Sequence, residues 1–143
     1  MISQNKIKKI QSLKTKKGRI KEGLFLVEGV RCINTFLEHS NHIKELFICR
    51  SFYSTSKNII SLCKEKNIPY TTISDKIMKA ISNTKTSQGV LGISEFTPPP
   101  KMNLNSKRWL YLYKISDPGN LGTILRSAAW FNIKNIALSK DST

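Results

Sequence analysis

Apolar positions in the first part of the chain follow two spacings, one typical of amphipathic helices and one of buried strands. Between residues 3 and 17 isoleucine and leucine recur at helical spacing among lysines, which predicts one short basic helix. Gly18 and Arg19 are expected to interrupt this helix. The unbroken apolar run 24–27 then predicts a buried strand, with Glu28 and Gly29 in the turn that follows.

The alternation of helical and strand patterns continues as far as Phe96. Further strands are predicted over 45–49, 69–73 and 90–96, and helices over 30–37, 55–66 and 75–81. Parallel neighbours need crossover connections, and helices of this length supply them. We therefore expect a largely parallel sheet covered by helices, that is, an α/β sandwich.

A proline-rich segment separates this sandwich from the rest of the chain. The run 97–101 contains three consecutive prolines, which lack an N–H and have a fixed φ, so it can neither continue a sheet nor enter a helix. We predict a domain over 1–97, a linker over 98–106 and an incomplete domain over 107–143. The last part reads as strand 109–113, helix 121–131 and strand 133–138. One such βαβ unit could not bury enough surface to be stable alone.

The charge changes the picture, because 24 basic residues face 9 acidic ones and the formal net charge is +15. A field of this sign attracts polyanions, and nucleic acid is the first candidate partner. Ordinary solvated lysines, favoured by an AT-rich coding bias, and an anionic membrane surface are the alternatives. No apolar stretch is long enough to cross a membrane and the first 17 residues have no apolar signal core, so we expect a soluble protein and no membrane partner.

The cysteines and histidines suggest no metal site. The chain has an odd number of cysteines, and they lie far apart in sequence: Cys32, Cys49 and Cys63. This argues against a disulfide framework or a zinc knuckle. Each has apolar neighbours, so we expect buried thiols in a reducing cytoplasm. His39 and His42 lie in a polar turn and are expected at the surface.

The segment 117–131, DPGNLGTILRSAAWF, is the most informative stretch. Asn120 is expected to cap its helix, so that the backbone amides of Leu121, Gly122 and Thr123 point at an anion. Arg126 follows Gly122 by one turn on the polar face, and the glycine leaves room for a ligand beside the guanidinium. A plain strand-turn-helix with Arg126 as a surface charge would give the same pattern. The apolar face is predicted to be buried and comprises Leu121, Ile124, Leu125 and Ala128.

The stretch Asp117–Ala128 resembles the first signature motif of the SpoU (TrmH-like) RNA ribose methyltransferases. Arg19, the run 25–29 and the run 86–90 are similar to landmarks of that family's N-terminal RNA substrate-binding domain. The resemblance therefore covers nearly the whole chain. It implies that residues 107–143 begin a knotted α/β methyltransferase domain of the SPOUT type.

The activity that this resemblance implies is methyl transfer from S-adenosylmethionine to a ribose 2′-hydroxyl of ribosomal or transfer RNA. By the same resemblance Asn120 and Arg126 are catalytic residues. A guanidinium stays protonated and is a poor base, so Arg126 would grip a phosphate and polarise the hydroxyl, while Asn120 would order the loop. The second and third signature motifs are not in the sequence. We therefore expect the cofactor-binding residues beyond Thr143, no activity from these residues alone, and a homodimer at full length.

Two departures from the family pattern are Lys114, before the turn, and Asn132, where glycine usually follows the aromatic residue. Neither touches the expected site.

Two surfaces are candidates for binding RNA. The first is the basic helix and the residues just after it: Lys8, Lys9, Lys14, Lys16, Lys17, Arg19 and Lys21. The second is a pair of turns that could meet a splayed RNA loop: Glu28, Gly29, Thr86, Gln88 and Gly89. Plain turn geometry would also explain Gly29 and Gly89. A non-catalytic RNA-binding module that acts alone is the alternative to an enzyme.

Overall fold

The chain forms two compact units, Met1–Pro98 and Pro99–Thr143. A computed structural model describes residues 2–40, 42–84, 86–97 and 105–143. The predicted linker over 98–106 lies mostly outside these described residues, so its boundaries stay a prediction. Among the described helices, none is long and apolar enough to cross a membrane.

The first unit is an α/β sandwich, as the sequence predicted. Its strands are β1 Leu24–Glu28, β2 Ile43–Cys49, β3 Tyr70–Ile73 and β4 Val90–Glu95, which form one sheet in the order β1-β4-β2-β3. Its helices are α1 Gln4–Ser12, α2 Lys16–Glu22, α3 Val30–His39, α4 Lys57–Glu65 and α5 Asp75–Ile81, with a 3₁₀ helix Arg50–Thr55 after β2.

The expectation of a largely parallel sheet is wrong, because the sheet is mixed. Strand β4 is antiparallel to both β1 and β2, and only β2 and β3 are parallel. Helix α5 has 7 residues and spans roughly 10 Å, less than half the length of β2, so the helix alone does not carry the chain back to the amino ends of the strands. The chain re-enters the sheet at the carboxyl ends of β2 and β3, between β1 and β2, where Val90 pairs with Ile48 near the end of β2.

Strand β2 shows how the two faces of the sheet are covered. Leu46 and Ile48 are buried against the α3 and α4 side, whereas Phe47 and Cys49 are buried against the α1 and α5 side. This alternation is the period-two pattern of a strand buried on both faces. The sheet is therefore covered by helices on both sides.

The predicted single helix over 3–17 is wrong, because the segment forms two helices. The first ends at Ser12, and the hydroxyl of Thr15 then caps α2 by accepting a hydrogen bond from the amide of Gly18. Gly18 and Arg19 thus lie inside α2 instead of interrupting a helix. A Cβ on Gly18 would lie 1.9 Å from the carbonyl oxygen of Ser12, so the absence of a side chain lets the two helices meet closely.

Two of the three cysteines follow the prediction. Cys49 and Cys63 are buried, and burial raises the pKa of each thiol to about 11. Cys32 is exposed, contrary to expectation. It precedes the buried Ile33 on α3, and consecutive residues of a helix lie about 100° apart, so apolar neighbours in sequence do not fix the face.

The second unit is one βαβ unit, as predicted. It contains β5 Trp109–Leu112, α6 Pro118–Trp130 and β6 Asn135–Leu138, with the two strands parallel. Helix α6 begins three residues before the predicted start at 121. Its last turn closes with the amides of Asn132 and Ile133 donating to the carbonyls of Ala129 and Ala128 at 3.0 and 2.8 Å. Asn132 has a φ of 55° in this closure, which explains why a glycine would suit the position.

Candidate functional site

The corner between β5 and α6 is built on Asp117. Its carboxylate oxygen Oδ1 accepts a hydrogen bond from the amide of Asn120 at 2.6 Å, so Asp117 is the N-cap of α6. The prediction that Asn120 caps the helix is wrong. Pro118 has a φ suited to the first helical position and needs no partner for an N–H, which moves the cap to the residue before it. Asn120 is the third residue of the helix, and it is exposed.

The backbone amides expected to face an anion are used by the helix instead. The amide of Leu121 donates to the carbonyl of Asp117 at 3.0 Å. Gly122 and Thr123 come still later in α6, beyond the first four amides that a helix leaves without partners. The predicted anion cradle on residues 121–123 is therefore wrong, because the helix begins earlier than the sequence suggested.

The Arg126 side chain lies on the exposed face of α6. Its Nη2 donates to the hydroxyl of Thr123 at 3.3 Å, and that hydroxyl donates to the carbonyl of Gly119 at 3.0 Å. Within the described part of the chain Arg126 forms no ion pair. A Cβ added to Gly122 would meet nothing within 4 Å, so the space beside this face is open. The guanidinium is thus oriented by Thr123 and available to an anion.

Thr123 was missed by the sequence reasoning. The i, i+3 spacing of Thr123 and Arg126 on one helix face is the signal that could have found it. On the opposite face, Ala128 is buried and Leu121 and Ile124 are half-buried, whereas Leu125 is 38% exposed. The predicted apolar face is therefore only partly covered by the described residues of this unit.

An open pocket of about 380 Å³ lies at the start of α6. Asn120 and Thr123 line one side, and the loop of Lys114, Ile115 and Ser116 lines another. The residues after β6 hold this loop. The hydroxyl of Ser139 accepts from the amide of Lys114 at 2.9 Å, and the amide of Thr143 donates to the carbonyl of Ile115 at 2.9 Å. The structure thus brings Asn120 into a pocket wall, and Thr123 links that wall to Arg126.

In the first unit, Glu28 holds the loop after α5. Its carboxylate accepts hydrogen bonds from the hydroxyl of Ser82, the amide of Asn83 at 3.0 Å and the hydroxyl of Thr84 at 2.8 Å. Partial burial raises the pKa of Glu28, but the hydrogen bonds outweigh this and hold the pKa below its ordinary value. Glu28 is therefore ionised at neutral pH, with an internal role that the sequence did not reveal.

The two predicted turns of the second surface meet through Gln88. Its Oε1 accepts a hydrogen bond from the amide of Val30 at 2.9 Å and caps α3, whose own N-cap, Gly29, has no side chain. Gly29 and Gly89 both have positive φ, which supports the turn-geometry explanation for these glycines. Residues 28–29 and 86–89 thus form one continuous surface, and contact of this surface with RNA stays a prediction.

The basic residues of the first surface divide into two groups. Three have internal partners: Lys14 donates to the carbonyls of Ala80 and Ser82 at 3.0 and 2.6 Å, Arg19 donates to the carbonyl of Lys14 at 3.1 Å, and Lys9 pairs with Glu22 at 2.8 Å. The second group is exposed and forms no hydrogen bond or ion pair with another described residue. It consists of Lys8, Lys16, Lys17 and Lys21.

The first unit is thus an α/β sandwich with exposed basic helices, and the second is a βαβ unit in which Arg126 is exposed one turn from Thr123 of the pocket wall. Residues 4–92 match the MRM3-like substrate binding domain, and because this match spans more than half of the sequence, the chain belongs to that family.

Several known proteins that resemble the chain are RNA methyltransferases. The human mitochondrial rRNA methyltransferase 3 is 33% identical over 137 residues, which are 90% of this chain and 31% of that protein. The 23S rRNA (guanosine(2553)-2′-O)-methyltransferase RlmP of Bacillus subtilis is 28% identical over 123 residues, 86% of this chain and 46% of that protein. A solved structure from Porphyromonas gingivalis, assigned to the TrmH family of RNA methyltransferases, has a TM-score of 0.75 at 26% identity and covers all of this chain and 54% of that one. The chain thus spans about half the length of these relatives, or less.

Proposed function

We propose that this chain is the N-terminal part of an S-adenosylmethionine-dependent RNA ribose 2′-O-methyltransferase that acts on ribosomal or transfer RNA. The observation that carries the proposal is the exposed Arg126 guanidinium, oriented by Thr123 beside the open space at Gly122. Similarity along the chain to rRNA methyltransferases, one of them named as a 2′-O enzyme, supports the same chemistry.

In this proposal Arg126 binds a phosphate of the substrate RNA and polarises the reacting 2′-hydroxyl. A guanidinium binds phosphates well because it has five N–H donors and a permanent positive charge. It is a poor base because it stays protonated. Asn120 orders the corner through its exposed side-chain amide, and Thr123 keeps the Arg126 side chain along the helix. A proton acceptor for the hydroxyl has to come from elsewhere, and the RNA phosphate is one candidate.

The described residues do not fit S-adenosylmethionine. An adenosyl group needs an enclosed and largely apolar pocket, whereas the pocket at the start of α6 is open and includes Lys114, Asp117 and Asn120. We therefore assign cofactor binding to residues beyond Thr143 and derive no step through the cofactor. The 143 residues by themselves are expected to bind RNA without methylating it.

RNA binding by the first unit rests on its unpaired lysines. Lys8, Lys16, Lys17 and Lys21 are exposed and have no internal partner among the described residues, so their ammonium groups can neutralise phosphates.

We further propose a cytoplasmic location, supported by three unpaired cysteines. A homodimer at full length is supported by apolar side chains exposed in the second unit, with Trp130 at 88% and Phe131 at 68%.

The substitution Arg126→Ala in a full-length protein that contains this chain tests the assignment. Removing an electrostatic contact to the transition state typically lowers turnover by about 10²- to 10³-fold, so we expect a loss of that size and a much smaller loss of RNA affinity, because only one of several phosphate contacts is removed. Arg108→Ala removes an exposed arginine of the same unit and serves as the control. A large loss of affinity with unchanged turnover would contradict the role of Arg126.

The second candidate, a non-catalytic RNA-binding module, is favoured by the lack of a fitting cofactor pocket among the described residues. Methyl transfer measured with labelled cofactor separates the two candidates. The enzyme proposal expects turnover from the full-length protein, whereas the module binds RNA without turnover in any form.

A further inference from the structure

An open pocket of about 490 Å³ lies in the first unit, at the carboxyl ends of β2 and β3. Strands β2 and β3 are parallel, so their carboxyl ends meet there, and the residues that follow them, Ser51, Phe52 and Asp75, form one wall. Met78 and Lys79 of α5 form a second wall. The carboxyl edge of parallel strands is a common place for a ligand in α/β proteins.

The chemistry of this pocket suits a flat group with N–H donors. Asp75 is exposed, and its Oδ1 accepts a hydrogen bond from the hydroxyl of Ser51 at 2.6 Å. That bond, with a second from Cys49, holds the pKa of Asp75 below its ordinary value. Each carboxylate oxygen has two lone pairs, so acceptor sites remain after Ser51 is satisfied. Phe52 and Met78 supply an aromatic ring and a thioether beside the carboxylate.

The position of the pocket connects it with the basic surface. Thr84 in its lining donates to Glu28, and the neighbouring Ser82 carbonyl accepts from the Lys14 ammonium at 2.6 Å. Lys14 directly precedes the turn that leads to the exposed Lys16 and Lys17. These contacts join the pocket lining to Lys14 at the start of the basic surface, so an RNA strand bound to that surface can extend to the pocket. Its phosphates are repelled by Asp75, whereas its bases are not.

We propose that this pocket binds one unpaired guanine base of the RNA, with Asp75 accepting hydrogen bonds from the guanine edge and Phe52 contacting its ring. The proposal rests on the proposed function, in that it takes the ligand to be RNA. Guanine presents two adjacent donors, N1–H and the N2 amino group, that match the two oxygens of a carboxylate. Adenine, cytosine and uracil offer no such adjacent pair. Unpaired bases are read in this way on their Watson–Crick edges by many RNA-binding proteins.

The test measures binding of the 143-residue chain to RNA hairpins by fluorescence anisotropy. The hairpins share one stem and a loop of uridines, and differ at one loop position that carries guanosine, inosine, adenosine or uridine. We expect guanosine to bind about tenfold more tightly than adenosine, and inosine, which lacks the N2 amino group, to lose most of that advantage. If the unsubstituted chain binds the guanosine, inosine and adenosine loops with equal affinity, the proposal is overturned.

The substitution Asp75→Asn isolates the carboxylate. We expect it to remove the preference for guanosine while affinity for the all-uridine loop stays within about twofold. Glu65→Gln removes an exposed carboxylate from α4, outside the pocket, and should leave the preference intact. A uniform gain in affinity for every loop would mean that Asp75 only repels phosphates, and it would overturn the proposal.

Failure of the pocket proposal and failure of the proposed function are distinguishable. If the loops bind equally while turnover of the full-length protein depends on Arg126, only the guanine pocket is wrong. If none of the hairpins binds, the proposed function fails together with the pocket.

Discussion

Gly89 controls the turn that leads into β4. It has a φ of 80°, and a Cβ at this position would lie 2.6 Å from the Cβ of Phe52. Its carbonyl accepts a hydrogen bond from the amide of Cys49 at 2.8 Å, so the turn cannot easily move away. A side chain at residue 89 is therefore opposed by backbone conformation and by a steric clash.

We expect Gly89→Ala to lower the free energy of unfolding by about 3 kcal/mol, as the sum of left-handed strain and overpacking. Gly23→Ala is the matched control, because Gly23 has a φ of 63° but nothing within 4 Å of an added Cβ. It should cost only about 1 kcal/mol. Urea unfolding of both variants measures the difference, and equal losses would show that the clash with Phe52 is relieved by movement.

At the scale of single residues, the sequence predicted what local chemistry determines. Arg126 is exposed on the polar face of its helix, as expected. The cap at Asp117 could have been predicted from the Asp-Pro pair, which places proline at the first helical position. The contact of Glu28 with Thr84 and that of Gln88 with Val30 could not, because they depend on β1 lying next to β4.

At the scale of elements, α6 allows stability and function to be tested separately. Gly122 lies inside this helix with open space around it. Alanine is a better helix former than glycine by about 1 kcal/mol, so Gly122→Ala should stabilise α6. If the substrate approaches Arg126 over this position, the added methyl group should lower turnover of the full-length protein. Thermal unfolding and methyl transfer measure the two effects, and unchanged turnover would show that RNA does not pass there.

The limits of sequence prediction are also clear at this scale. Helix α5 occupies the predicted residues 75–81, because Ser74 provides a side-chain cap and the apolar positions have helical spacing. Strand direction was predicted wrongly, since periodicity does not say at which end of the strands a connection re-enters the sheet. The short helix α5 and the hydrogen bond of the Asn83 amide to Glu28 are tertiary features that the hydrophobic pattern does not contain.

At the scale of the whole molecule, the net charge of +15 predicts salt-dependent binding of RNA. Each phosphate contact to a single strand contributes about 0.7 to the slope of log K against log salt. The double substitution Lys16→Gln and Lys17→Gln should therefore lower the slope by about 1.4. Lys57→Gln with Lys64→Gln removes the same charge from α4 and is the control. Equal changes in slope for both pairs would mean that only the net charge determines the salt dependence. The basic helices would then not be a specific RNA-binding surface.

The central claim is that the protein containing this chain methylates a ribose hydroxyl, and the position of the transferred methyl group tests it most directly. The full-length protein is incubated with RNA and cofactor labelled in the methyl group, and the product is hydrolysed in alkali. Alkaline cleavage needs a free 2′-hydroxyl, so label on a ribose should be recovered in an alkali-resistant dinucleotide. Label recovered in single nucleotides would mean that a base is methylated, and it would contradict the account.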